Sequence, residues 1–385
     1  MNKHTLQYID NLLQGVEVEW KVLGEVAIKI SSGGTPNTSV SSYYNGNIPW
    51  LRTQEVGGGD IWDTGIKITE EGLKNSSAKM IPENCVIVAM YGATVGKVGI
   101  NKIPLCTNQA CANIQLNEEI VHYRYVYHFL LSQYEYIKSL GAGSQTNINA
   151  QIVKNLQIPI PPLSVQKEIV RILDKFTELT AELTAELTAR KKQYNYYREQ
   201  LLSFEEGDVE WKTLGEIGEV RRGTAITEKE TNQGEYPVVA NGPTHNYYHD
   251  QSNRRGETVV IARSGAYAGL VSYWDIPIFL TDAFSIHPDN NILSTKFLYY
   301  ALKKDQTKIH NMAKGAGVPH VRANDFGTYV IPVPSLEEQA RIVSILDKFD
   351  TLTNSISEGL PKEIELRKKQ YEYYRDLLLT FPKHE

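Results

Sequence analysis

The strongest constraint on this chain is a stretch that it carries twice. The run from Pro162 to Phe204 returns in large part between Pro334 and Phe381. Its apolar residues keep a heptad rhythm: Ile169, Phe176, Leu183 and Tyr197 form one series, Leu173, Leu187, Tyr194 and Leu201 the other. The two series alternate four and three residues apart. This predicts one long helix with a coiled-coil seam, interrupted at Thr180 and Arg190. A single stretch of this kind reads as an amphipathic core helix. Two copies flanking a separate domain make a spacer the better reading. In the middle of the first copy lies a four-residue tandem, Thr180-Ala181-Glu182-Leu183 followed by Thr184-Ala185-Glu186-Leu187.

The repetition extends beyond the helix. Ile158-Pro-Ile-Pro-Pro162 matches Ile331-Pro-Val-Pro-Ser335, and the Ile-Leu-Asp-Lys-Phe segment ending at Phe176 recurs 173 residues later, ending at Phe349. The Arg190-Lys-Lys-Gln-Tyr194 segment recurs 177 residues on, so the second copy is four residues longer between its matched ends. Those extra residues include Gly359-Leu-Pro361, which should kink or restart the helix. Ahead of each copy stands a Glu-Trp signature, Val18-Glu-Trp-Lys21 and Val209-Glu-Trp-Lys212. Tyr8 to Leu13 resembles the helix tail Tyr197 to Leu202, as though a two-unit ring had been cut open. Such near-circular order implies a pseudo-twofold arrangement within one polypeptide.

A length of 385 residues predicts two or three domains. Charged residues are 22% and hydrophobic residues 41%, with no long apolar run, which argues against a membrane span. The first residues carry one lysine and an apolar patch broken by Asp10 and Asn11, unlike a secretory signal. Cys85, Cys106 and Cys111 are odd in number and form no CxxC pair, which fits reduced thiols in a cytoplasmic protein. The net charge of −5 counts against bulk electrostatic wrapping of nucleic acid. It leaves room for a sequence reader whose positive groups sit on particular loops.

The regions between landmarks, 21–157 and 208–330, share a frame but little sequence. Val86 to Met90 and Thr258 to Ala262 read as buried strands, each followed by a glycine-rich turn. Helical patterns follow over 121–140 and 294–312, then Gly-Ala-Gly turns at 141–143 and 315–317. Gly92 to Lys97 looks like a phosphate loop, but it has three residues between its glycines and Val98 where a magnesium-binding hydroxyl belongs. No GxSxG, HExxH or paired Cys/His spacing is present, nor the Asn/Asp-Pro-Pro-aromatic tetrapeptide of amino-methyltransferases. Glu178, Glu182 and Glu186 fall on one helix face and read as a solvated face or a partner surface, not an acid/base pair. The chain reads as non-catalytic, with no metal site.

These repeated segments, twice and in order, resemble the specificity subunit of type I restriction-modification systems over nearly the full length. Carrying the resemblance are Ile-Pro-x-Pro followed by Gln166 or Gln339, the Ile-Leu-Asp-Lys-Phe and Arg-Lys-Lys-Gln-Tyr segments, and the Thr-Ala-Glu-Leu tandem. The resemblance implies an α+β fold: two mixed α/β target recognition domains separated by two long helices forming an antiparallel coiled coil. The domain boundaries that follow are 21–157 and 208–330 for recognition, 158–207 and 331–385 for the helical spacers, and 1–20 completing the helical repeat. Each recognition domain would read one half of a bipartite duplex DNA target. The helices would set the half-site spacing and dock two modification (methyltransferase) subunits and the restriction subunits. S-adenosylmethionine, ATP and magnesium would belong to those partners, with no cofactor in this chain.

Polar and basic residues beside turns are the candidates for DNA contact. In the first domain they are Arg52, Tyr91, Lys97, Gln145 and Asn147. In the second they are Arg221, Arg222, Arg254, Arg255, Arg263, Tyr267, His320 and Arg322. Tyr194, Tyr197, Tyr371 and Tyr374 are expected to pack on the seam, while Lys191, Lys192, Lys368 and Lys369 could face either the seam or the methyltransferase subunits. Two rival readings are a DNA-free coiled-coil scaffold with two globular heads and a cryptic enzyme built on the glycine-rich turns.

Overall fold

The computed structural model describes residues 11–57, 59–141, 147–205, 207–245, 247–315 and 317–382. The chain divides into two compact units, Met1–Glu182 with Glu365–Glu385, and Leu183–Ile364. A single helix, Leu163–Leu201, gives its first half to one unit and its second half to the other. The C-terminal repeat forms two helices, Leu336–Asn354 and Gly359–Leu379. The restart falls where the sequence predicts it. Gly359 takes a φ of +76°, and Pro361 lies in the first turn, where its missing N–H costs nothing.

In each unit one antiparallel ribbon brings two distant segments together. Glu19–Val22 pairs with Gln157–Ile160, placing Trp20 opposite Pro159. Glu210–Thr213 pairs with Val330–Val333, placing Trp211 opposite Pro332. The two sequence landmarks of each repeat are thus hydrogen-bonded partners. A two-stranded ribbon consists of edges alone, so the prolines are tolerated there.

In the first unit a five-stranded sheet runs in the order Ala27–Ser32, Cys111–Leu116, Val86–Ala89, Val98–Asn101 and Gly59–Ile61. Three short strands, Lys67–Ile68, Tyr44–Leu51 and Cys106–Thr107, form a second sheet. The second unit has a four-stranded sheet ordered Gly218–Arg222, Ala283–Pro288, Thr258–Ala262 and Val271–Trp274, and a three-stranded one built on Tyr236–Val239. Strands Val86–Ala89 and Thr258–Ala262 are buried throughout, as their continuous apolar runs require. Each predicted helix is broken in two, at Gln133 and at Asp305. Both residues adopt a bridge conformation, with ψ of 11° and 15°.

The core of the first unit joins the sheet residues Val88 and Ile114 to Tyr125 and Phe129 of helix Tyr123–Ser132 and to Ile169, Leu173 and Leu378 of the helical repeat. Each fully buried aliphatic side chain contributes about 2 kcal/mol of transfer free energy. Phe176 stacks on Tyr374 with centroids 5.1 Å apart, and in the second unit Tyr194 and Tyr197 both stack on Phe349. Tyr194 and Tyr374 are buried as expected of seam residues, whereas Tyr197 keeps an exposed edge. Lys191, Lys192, Lys368 and Lys369 are exposed, as are Glu178, Glu182 and Glu186.

A buried glutamine ties each domain to its helix. Gln166 accepts from the His122 backbone N–H at 2.8 Å and donates to the carbonyls of Ile120 and Pro161. Gln339 repeats this with Ser294, Ile292 and Pro334. Neither side chain sees solvent, and each spends both amide protons and its oxygen on backbone groups. The glutamine after Ile-Pro-x-Pro is thereby explained. The three cysteines are free and buried, and burial pushes the Cys85 and Cys111 thiols up to about 12.

Candidate nucleic-acid interface

The candidate residues lie where strands end. In the first unit, strand Val86–Ala89 runs into the one-turn helix Gly92–Thr94, with exposed Tyr91 at its entry. Gly92 holds a φ of +75°, and its N–H donates to Asn147 Oδ1 at 3.2 Å, which brings Tyr91 and Asn147 together. The stem of Lys97 lies against Gly57. Arg52 heads the turn Thr53–Glu55, with Nε 3.8 Å from Glu55. That Nε is buried without a hydrogen-bond acceptor, so its donor capacity is unspent. Gln145 and most of the Gly141 to Gly143 turn lie outside the described residues, as does Tyr8 to Asp10 of the N-terminal likeness.

The second unit concentrates its candidates. Arg222, Arg263, His320 and Arg322 line one cleft of about 800 Å³, joined by Lys314, which the sequence reading passed over. His320 reaches this wall because its backbone bridges to both Ser264 and Lys314. Arg221, Arg254 and Arg255 line a smaller recess of about 360 Å³ with His287. Tyr267, half-exposed, stands apart in a third depression beside Gln306 and His310.

The arginines differ in what their guanidinium groups do. Arg254 donates to Ser285 Oγ at 2.7 Å and to the carbonyls of Asn253 and Arg222 at 2.8 and 2.7 Å. It staples the edge strand Gly218–Arg222 in place, and with its donors spent inward it acts on the surface by positioning. Arg221 pairs with Glu219, and Arg255 donates to Ser252. Arg222 and Arg322 are exposed. Burial, reinforced by Arg221 and Arg254, holds His287 below the ordinary histidine value, so the recess gains no charge from it near neutrality.

Sequence reasoning missed one polar group on the main cleft. Asp282 Oδ2 accepts from Ser264 Oγ at 2.5 Å and from Asn241 at 3.3 Å, while Oδ1 lies 3.6 Å from Arg263. These residues are far apart in sequence and match no motif. Only the matching of Ser264 to Tyr91 in the repeated turn hints that this place varies.

A second polar cluster in the first unit involves helix Tyr123–Ser132. Arg124 bridges Asp60 and Asp174 at 2.9 and 2.6 Å. His128 contacts Asp174 at 2.8 Å and Tyr371 at 2.9 Å. In the second unit Lys296 and Tyr300 meet Asp347 at 2.8 and 2.5 Å. The aspartate of each Ile-Leu-Asp-Lys-Phe segment therefore receives two side chains from one helix of its own unit, Tyr123–Ser132 in the first and Thr295–Lys304 in the second.

Comparison with known proteins bears directly on this duplicated plan. The family model described as type I restriction modification DNA specificity domain matches twice, over residues 16–190 and 206–366. The chain belongs to this family. Among curated relatives, the type I restriction enzyme EcoR124I/EcoR124II specificity subunit of Escherichia coli is 36% identical, over 99% of this chain and 98% of that protein. The EcoprrI specificity subunit of Escherichia coli is 35% identical over 92% of each chain. The crystal structure of a type I restriction-modification S subunit from M. genitalium superposes with a TM-score of 0.66 at 20% identity, covering 96% of this chain and 98% of that one. The chain is thus a specificity subunit, a non-catalytic DNA-recognition component, with two specificity domains in a mixed α/β fold and a long helix between them. Among the described residues no helix is long and apolar enough to cross a membrane.

Proposed function

We propose that this specificity subunit reads a bipartite duplex DNA target, with residues 21–157 contacting one half-site and residues 208–330 the other. Supporting this is the double family match, one per unit, together with the cleft of the second unit, whose lining gathers Arg222, Arg263, Lys314, His320 and Arg322. Arg52, Tyr91, Lys97, Gln145 and Asn147 serve the first half-site. Arg221, Arg222, Arg255, Arg263, Tyr267, His320 and Arg322 serve the second, with Arg254 holding their strand. With a net charge of −5, affinity rests on these local groups and on partners.

The helical segments 158–207 and 331–385, completed by 1–20, pair as an antiparallel coiled coil and act as a ruler. One Thr-Ala-Glu-Leu unit adds about 6 Å of helix at about 1.5 Å per residue. That matches one to two base pairs at about 3.4 Å each. The exposed helix surface docks two modification subunits, which bring S-adenosylmethionine, and the restriction subunits, which use ATP and magnesium. The assembly works in the cytoplasm.

Selection from a randomised duplex library by the subunit bound to its methyltransferase partners tests the reading. The expected product is a motif of two short blocks with a fixed unspecified gap. A single uninterrupted motif, or retention independent of sequence, overturns it.

A further inference from the structure

We infer that Asp282 is a base-reading residue of the second unit, accepting a hydrogen bond from an exocyclic amine of cytosine or adenine in the major groove. The inference rests on the DNA-reading function proposed above and names the chemistry of one contact within it. Asp282 lies on a cleft whose other charged groups are Arg222, Arg263, Lys314 and Arg322, with Glu230 as the second carboxylate. Glu230 is accounted for: it caps its own turn, accepting from the Thr227 N–H and hydroxyl. Asp282 has no such local task.

Its geometry is that of a held acceptor. Ser264 Oγ at 2.5 Å and Asn241 Nδ2 at 3.3 Å fix Oδ2, and Asn241 also donates to Ser264 Oγ at 3.3 Å. Oδ1 is left with Arg263 Nη1 at 3.6 Å, longer than a hydrogen bond, on a side chain that is 40% exposed. One oxygen is held by two hydrogen bonds, and the other carries only the long Arg263 ion pair on a residue that lines the cleft. In a cleft that attracts phosphates a carboxylate opposes binding, unless a donor on the DNA meets it. The exocyclic amines of cytosine and adenine are the donors that the major groove presents.

The fold itself does not demand the acid. In the second unit, Thr281 and Asp282 link strand Phe279–Leu280 to strand Ala283–Pro288. The corresponding turn of the first unit, Asn108 to Ala110, links Cys106–Thr107 to Cys111–Leu116 and carries no carboxylate. Both turns begin alike, with the Asn108 N–H donating to Leu51 O and the Thr281 N–H to Val239 O, each at 2.9 Å. Tyr91 and Met90 take the places of Ser264 and Arg263 ahead of the repeated one-turn helix. The same frame is built without the Ser-Asp-Arg group, so the group is free to serve recognition.

The test uses the methyltransferase-bound complex and the randomised duplex library. Asp282→Asn puts a donor where that acceptor stood. The expected result is a change of about tenfold or more in preference at one base pair of one half-site, with every other position unchanged. The double variant Asp282→Ala with Ser264→Ala removes both ends of the short hydrogen bond, leaving neither group unpaired, and should lose discrimination at the same position. A motif unchanged in both variants, or retention lowered evenly across all sequences, overturns the inference. A wild-type complex that selects no bipartite motif would instead remove the DNA-reading function beneath it.

Discussion

Asp174 of the long helix accepts a hydrogen bond from His128 of helix Tyr123–Ser132 at 2.8 Å, although the two residues are 46 positions apart. The tautomer follows from this contact: an ionised carboxylate only accepts, so Nε2 carries the proton, and Nδ1 of the neutral ring accepts from the Tyr371 hydroxyl at 2.9 Å. Burial pushes Asp174 up, but hydrogen bonds from His128 and Arg124 outweigh it and hold the group below the ordinary carboxylate value. The carboxylate is therefore ionised throughout the physiological range. It fixes helix Tyr123–Ser132 at one place on helix Leu163–Leu201.

Asp174→Asn keeps the shape but weakens the acceptor for both partners. The expected loss is about 1–3 kcal/mol, read as a lower urea midpoint for the first unit. The equivalent Asp347→Asn should lower the second unit instead, because its partners Lys296 and Tyr300 belong there. Identical denaturation curves for wild type and both variants would remove the anchoring role.

Stability should fall as pH drops below the ordinary histidine value. Burial holds His128 below that value against the pull of Asp174. The unfolded chain then takes up its proton first, so the stabilisation is complete above the unfolded pKa and is lost as pH falls toward the folded one. Thermal melts between pH 7 and pH 5 should show a shallower decline for His128→Asn than for wild type. A slope equal to that of wild type would place the effect in His122 or His287, which burial also lowers.

Gln166→Ala and Gln339→Ala each take the partner from one backbone N–H and two carbonyls, of which the proline carbonyl is buried. A cost of about 2–4 kcal/mol is expected for each, and the two should add because they lie in separate units. Differential scanning calorimetry of both single variants and the double variant measures this.

Deleting Thr184 to Leu187 should shorten the unspecified gap of the target by one or two base pairs and leave both half-sites as they were. Methylation mapping in cells carrying the deletion reads the gap directly. A gap of unchanged length would sink the ruler.

Arg254 and Arg263 should separate. Arg254→Ala removes the staple on the edge strand and should lower the melting temperature of the second unit. Arg263→Ala, with an exposed guanidinium and a 3.6 Å ion pair, should leave melting unchanged and weaken selection of one half-site only.

Much of this was legible before any coordinates. Strands Val86–Ala89 and Thr258–Ala262 stand where the apolar runs put them, and the helix restart stands at Gly359. The candidate site was legible only in part. Arg222, Arg263, His320 and Arg322 do share a cleft, yet Lys314 and Asp282 went unremarked and Arg254 turns inward. A lysine or aspartate on a loop gives no local sign of the side chains it will face. Arg254 looked like its neighbour Arg255 because its acceptors, Ser285 and the carbonyl of Arg222, lie about thirty residues away on either side.

The sequence by itself determined the duplication, the long helix and the buried strands, because each is written in residue spacings within a few turns or in segments repeated at a fixed distance. Tertiary structure alone decided that the Glu-Trp segment pairs with Ile-Pro-x-Pro, that Asp174 meets His128 and that Asp282 is pinned by Ser264. Those contacts join distant parts of the chain. A hydrogen bond is assigned by which groups the closed core brings within about 3 Å, and that distance is fixed only once the whole unit has packed.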